Sequence, residues 1–136
     1  MDDWLLEHNL DGEVYTGVAA TEENIRRLLG SFDGIRRFYC CLSSTQTEDS
    51  LACWGEVGQR VVEASLPDNP RYSVLSRTSM PSGRFINLRP GDGQVYSVDE
   101  SHLISPQDCL SLFLTFLTSR RIPTPYVVVD TAYFCR

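Results

Sequence analysis

The 136-residue sequence contains no lysine; all twelve of its basic residues are arginine. That uniformity reads as coding bias, and no function is built on it. The chain has two histidines and five cysteines, at positions 40, 41, 53, 109 and 135, with no C-x-x-C pair among them. Zinc sites usually draw on closely spaced ligand pairs, so no metal is expected, and no other cofactor is indicated. No apolar run is long enough to span a bilayer, and the start, MDDWLLEHNL, lacks the basic region and apolar core of a secretory leader. The odd, unpaired cysteines then read as buried thiols in a reducing cytoplasm.

Scarce cations leave a formal charge of −6. Residues 1–33 carry eight acids against two arginines, whereas residues 34–91 carry seven arginines against five acids, a net +2. An acidic protein is repelled by phosphate backbones, so direct nucleic-acid binding is disfavoured, while a basic protein partner is attracted and steered. A length of 136 residues with 42% hydrophobic and 22% charged residues suits one globular domain over 1–136.

What is present is clearest from Ser105 to Arg121. Ser105 can cap a helix, Pro106 fits its first position, and Asp108 puts a carboxylate in its positive first turn. Arg120 and Arg121 complement the other end, and Pro123 forbids continuation. Leu110, Phe113, Leu114 and Leu117 recur at helical spacing, widened by Cys109, Leu112 and Phe116. Such a helix is core, with Phe113 and Leu117 expected against a sheet.

The remaining elements follow from shorter signals. Residues 1–20 hold two apolar patches around an Asp11-Gly12 turn, readable as a peripheral arm or edge strand. Thr21-Glu22-Glu23 opens a short helix with Ile25, Leu28 and Leu29 on one face and Gly30 as its C-cap. Strands are predicted over Ile35–Leu42, Leu51–Trp54, Arg60–Leu66, Tyr72–Ser76, Arg84–Leu88 and Gln94–Val98, each half-buried, with turns at Pro67-Asp68-Asn69-Pro70 and Pro90-Gly91-Asp92-Gly93. Tyr126–Val129, continuously apolar, predicts a strand covered on both faces. Sequential strands with short connections predict an α+β fold: an antiparallel meander of five to seven strands with two main helices on one face.

Catalytic constellations are weak. His102 precedes Cys109 by seven residues, but Cys109 falls in the apolar arc of the helix, where a thiolate would be desolvated. Asp99-Glu100 reads as a solvated turn before the helix cap, and Gly91-Asp92-Gly93 lacks phosphate-loop spacing. No enzyme is indicated, and no small-molecule substrate. Surface recognition remains, with Trp54, Tyr72 and Tyr96 as aromatic anchors and Glu56, Asp68, Asp92, Asp99 and Glu100 as acidic contacts.

Several segments carry a resemblance to a known group. These are Asn24-Ile25-Arg26-Arg27-Leu28-Leu29 through Gly34, then Ala52-Cys53-Trp54-Gly55 with Arg60-Val61-Val62. His102-Leu103-Ile104-Ser105-Pro106 follows, with Phe113-Leu114-Thr115-Phe116-Leu117 and Arg121-Ile122-Pro123. Over residues 20–130 the chain resembles the first-numbered immunity protein family of bacterial polymorphic toxin systems, although such proteins are more glycine-rich at Trp54-Gly55-Glu56. The resemblance implies a cytoplasmic antidote that binds a cognate toxin domain acting on nucleic acid, above all a deaminase, and occludes its active site. It supplies no motif-defined binding residues. The competing expectation is an acidic secretion chaperone holding an effector protein.

Overall fold

A computed structural model describes residues 4–134. The order of elements is β1 (Trp4–Leu10), β2 (Glu13–Val18), α1 (Glu22–Gly30), β3 (Tyr39–Ser44), β4 (Ser50–Gly55), β5 (Arg60–Leu66), β6 (Asn69–Ser76), β7 (Phe85–Leu88), β8 (Tyr96–Asp99), α2 (Pro106–Ser119) and β9 (Val127–Val129). The fold is α+β, with a seven-stranded antiparallel sheet in the order β2-β1-β3-β4-β5-β6-β9 and a separate two-stranded sheet of β7 and β8.

The helices form where their caps are written. Thr21 accepts from the Asn24 amide at 3.1 Å, and Ser105 accepts from the Asp108 amide at 3.2 Å with Pro106 at the first position of α2. The C-cap of α1 is Ser31, one residue beyond the expected Gly30. Arg120 ends α2 in a left-handed conformation, and its guanidinium folds back over the Trp4 ring at 4.8 Å. Both helices lie on one face of the sheet. Ile25, Leu28 and Leu29 of α1 and Cys109, Leu112, Phe113 and Phe116 of α2 pack with Leu6, Leu42, Leu51, Cys53, Val62 and Leu75. Phe113 is fully buried as expected; Leu117 packs at the margin.

The second face is not open, and the expectation of half-buried strands fails there. Trp54, Val61 and Val74 point away from the helices and are covered by Leu88 and Val98 of the β7–β8 hairpin, with Tyr39, Tyr96, Val129, Tyr133 and Phe134 around them. β4 and β5 are therefore buried on both faces. A fully buried carboxylate, Glu63, accepts from the backbone amides of Tyr133 at 2.6 Å and Phe134 at 3.2 Å, binding segment 130–134 across the sheet. The Val74 amide donates to the Thr131 carbonyl at 2.7 Å, and the Tyr133 hydroxyl meets His102 Nδ1 at 2.8 Å.

Three further expectations are corrected. Residues 4–18 form a hairpin on the Asp11-Gly12 turn whose β1 lies inside the sheet, between β2 and β3, with only β2 at the edge. The predicted Ile35–Leu42 strand begins only at Tyr39, because the Asp33 carboxylate accepts from the amides of Ile35, Arg36 and Arg37 and holds a turn there, leaving Ile35 71% exposed. The Tyr126–Val129 run yields only the short edge strand β9 on β6, with Val127 exposed. Its apolar residues alternate between faces and do not mark burial on both.

Candidate binding cleft

Along β1 and β3, alternation places Leu6, Cys40 and Leu42 under the helices and sends Glu7, Asn9, Tyr39 and Cys41 to the other face. Among the described residues, the β7–β8 hairpin and segment 130–134 leave part of this face uncovered around Glu7 and Tyr39. What remains is a cleft of about 550 Å³ lined by Glu7, Asn9, Gly12, Val14, Phe38, Tyr39, Gly91, Asp92 and Phe134. Among the described residues, two carboxylates and no basic side chain stand in that lining.

Its walls are fixed by specific contacts. Asn9, 4% exposed, accepts at Oδ1 from the amides of Phe38 and Tyr39, both at 2.9 Å, which orients the side chain and identifies its Nδ2 as the donor end. That Nδ2 is buried with no hydrogen-bond partner. Phe134 stacks on Tyr39 with ring centroids 6.0 Å apart and also meets Trp54 at 5.3 Å and Tyr96 at 5.6 Å. Gly91 passes so close to Ile35 that a Cβ there would overlap the Ile35 carbonyl, so only glycine lets the hairpin tip reach this wall. Asp92 is held by its own loop, accepting from the Gln94 amide at 2.9 Å and the Tyr96 hydroxyl at 2.6 Å. Arg36, which reaches the β1–β2 turn, is committed to Asp11 through bonds of 2.6 and 2.7 Å.

Of the residues expected to form an interface, the cleft takes one directly, Asp92, and Tyr96 braces it from behind. Trp54 is fully buried and serves the second core. Glu56 is half-buried and accepts from the Arg89 amide at 2.7 Å, tying the β7–β8 loop to the main sheet. Tyr72 is half-buried and accepts from the Ser50 hydroxyl at 3.2 Å. Asp68 is exposed in the β5–β6 turn, and Glu100 is exposed with Arg84 at 3.7 Å; neither lines the cleft.

Asp99 is not a solvated turn residue: it is 2% exposed and accepts from the amides of Ser82, Gly83 and Ser101 and from the hydroxyls of Ser82 and Ser101. Burial works to raise its pKa, but the donors of Ser101 and Ser82 outweigh it and hold the carboxyl well below the usual carboxylate range. Such a carboxylate organises a loop. It is not free for a partner.

The contributors missed in the sequence are Glu7, Asn9, Phe38 and Tyr39 from the N-terminal half and Phe134 at the other end. An asparagine within an apolar strand, two residues before Asp11-Gly12, was the available signal. Burial pushes the Cys41 thiol up to about 11, and burial with the neighbouring Cys53 thiol pushes Cys109 well above its ordinary value. Cys109 packs under the helices while His102 bonds Tyr133 on the opposite face, so the two do not meet. The described cysteines 40, 41, 53 and 109 are free and buried; Cys135 lies outside the described residues. Among the described residues no three histidine, cysteine, aspartate or glutamate side chains converge as a metal site, and no helix is long and apolar enough to cross a membrane. No family model matches the chain, and no curated protein does.

Proposed function

We propose that this protein is an immunity protein: a cytoplasmic antidote that binds a basic toxin domain acting on nucleic acid, of the deaminase type, and blocks its active site without turnover of its own. The observation that carries the reading is the cleft, where Glu7 and Asp92 border aromatic surface with no cation among the described lining residues, in a chain of net charge −6. An enzyme that grips phosphates offers cationic, flat-sided recesses. Carboxylates fixed on a sheet compete for them and steer the encounter at long range. The resemblance over residues 20–130 supplies the toxin side of this reading.

The test is coexpression with the product of the adjacent gene. The immunity reading requires that product to be lethal alone, harmless with this protein, and recovered with it as a folded complex whose association slows as salt rises, since charge steering is screened over about 8 Å at physiological ionic strength. A product that is harmless alone, or that is held unfolded, defeats the reading and moves the protein to the secretion chaperones.

A further inference from the structure

Resting on the protein-binding reading, we infer that the cleft is a receptor for one arginine of the partner, taken together with its own backbone carbonyl. Three observations converge on this occupant. Glu7 and Asp92 line the cleft, and among the described residues no lysine or arginine stands in its lining. Tyr39 and Phe134, stacked on each other with centroids 6.0 Å apart, bring aromatic surface to the cleft lining, beside which a planar guanidinium packs better than an ammonium does. Asn9 supplies the third element. Its Oδ1 is consumed by the Phe38 and Tyr39 amides, and its Nδ2 has no acceptor.

A buried donor without a partner is costly, and an arginine side chain, which has only donors, cannot satisfy it. A peptide carbonyl can. The occupant is therefore a segment of polypeptide that inserts a guanidinium toward the carboxylates and turns its carbonyl to Asn9. Its charge and its shape are then both specified, which a free cation would not achieve. The cleft, at about 550 Å³, is large enough for one such side chain and its flanking peptide units.

The experiment needs no toxin. The full chain, labelled with ¹⁵N, is titrated with the capped tripeptides acetyl-Gly-Arg-Gly-amide, its citrulline counterpart and its lysine counterpart. The arginine peptide is expected to shift the amides of residues 7, 9, 39 and 92 at millimolar concentration. The citrulline peptide, of the same shape without charge, should bind at least about fivefold more weakly, the scale of a half-exposed ion pair. Glu7→Gln should narrow that difference between peptides, with Asp92 supplying the remainder. Asn9→Asp keeps an acceptor for the Phe38 and Tyr39 amides but replaces the donor with a second oxygen, so the neutral citrulline peptide, which gains nothing from the added charge, should bind more weakly than it does to the wild type. Equal binding of arginine and citrulline, equal binding of arginine and lysine, or shifts confined to residues outside the cleft would overturn the inference. Such a failure leaves the coexpression result untouched, and a harmless neighbouring gene leaves the peptide result untouched.

Discussion

The helix face and the opposite face of the sheet are closed by different physics. Under α1 and α2 the cover is aliphatic, aromatic and thiol side chains packed against strand residues such as Leu6, Leu42, Cys53 and Val62. Hydrophobic burial of this kind is non-directional and spread over many residues. Over Trp54, Val61 and Val74 the cover is a small hairpin and one terminal segment, located by the Glu63 carboxylate, the Asp99 loop and the Tyr133–His102 contact. Directional bonds place things accurately but are few. The comparison teaches that stability resides chiefly with the helices, and that the shape of the binding surface depends on a handful of polar groups on the other side.

The largest test of that division is Phe113→Ala. It removes a fully buried ring from the helix face and should cost about 3–5 kcal/mol in denaturant melts, with exchange protection lost throughout the sheet. A loss under about 1 kcal/mol would break the comparison at its strong end. Glu63→Ala comes next, at about 2–3 kcal/mol, because it orphans the Tyr133 and Phe134 amides at a buried site. Its signature should be local: rapid exchange at 131–134 and altered Trp54 fluorescence, with the helix face still protected.

Asp99→Asn should cost less, about 1–2 kcal/mol, through weakened donors from Ser82 and Ser101. Since the folded pKa of Asp99 is depressed, its contribution is complete above the unfolded value and is lost as acid approaches the folded one. The wild type should therefore lose stability more steeply than Asp99→Asn once the pH falls below about 4. His102 acts earlier. Burial lowers its pKa against the opposing charge of Asp99, so the unfolded chain takes up the proton first and stability declines as pH drops through about 6.5. Replacing His102 with Asn should shrink that shallow step to the part contributed by His8, whose pKa burial and the nearby Arg37 also lower. The smallest expected change is Glu7→Gln, within about 0.5 kcal/mol by melting, because Glu7 is half-buried at the cleft and serves no core. A clear loss on that substitution would mean that the cleft is structural after all.

The same division decided what could be read from the residues alone. The α2 cap at Ser105-Pro106, the β5 span Arg60–Leu66 and the turn at Pro67-Asp68 were legible because each is a local rule of capping, alternation or turn chemistry. The burial of Trp54 was not, since it depends on a hairpin some thirty residues later and on Phe134, eighty residues away, folding over it. Acids chosen for their exposure fared the same way. Asp99 and Glu56 turned out to hold loops in place, whereas Glu7, in a stretch read as a peripheral arm or edge strand, lines the cleft because β1 is an interior strand. Which face a strand residue occupies is set by its neighbours' register, and register is not written in a strand's own few residues.

Glu63 also imposes an order of assembly. During synthesis the sheet from β1 to β6 is on hand before residues 127–134 emerge, so until then its carboxylate lacks the Tyr133 and Phe134 amides and Phe134 is missing from the Trp54 surface. A nascent chain halted after β6 but before that point leaves the Trp54 surface without its Phe134 cover, a form open to chaperones and proteases. Segment 130–134 thus acts as a proofreading mark: a chain that has not reached it leaves the Trp54 surface uncovered.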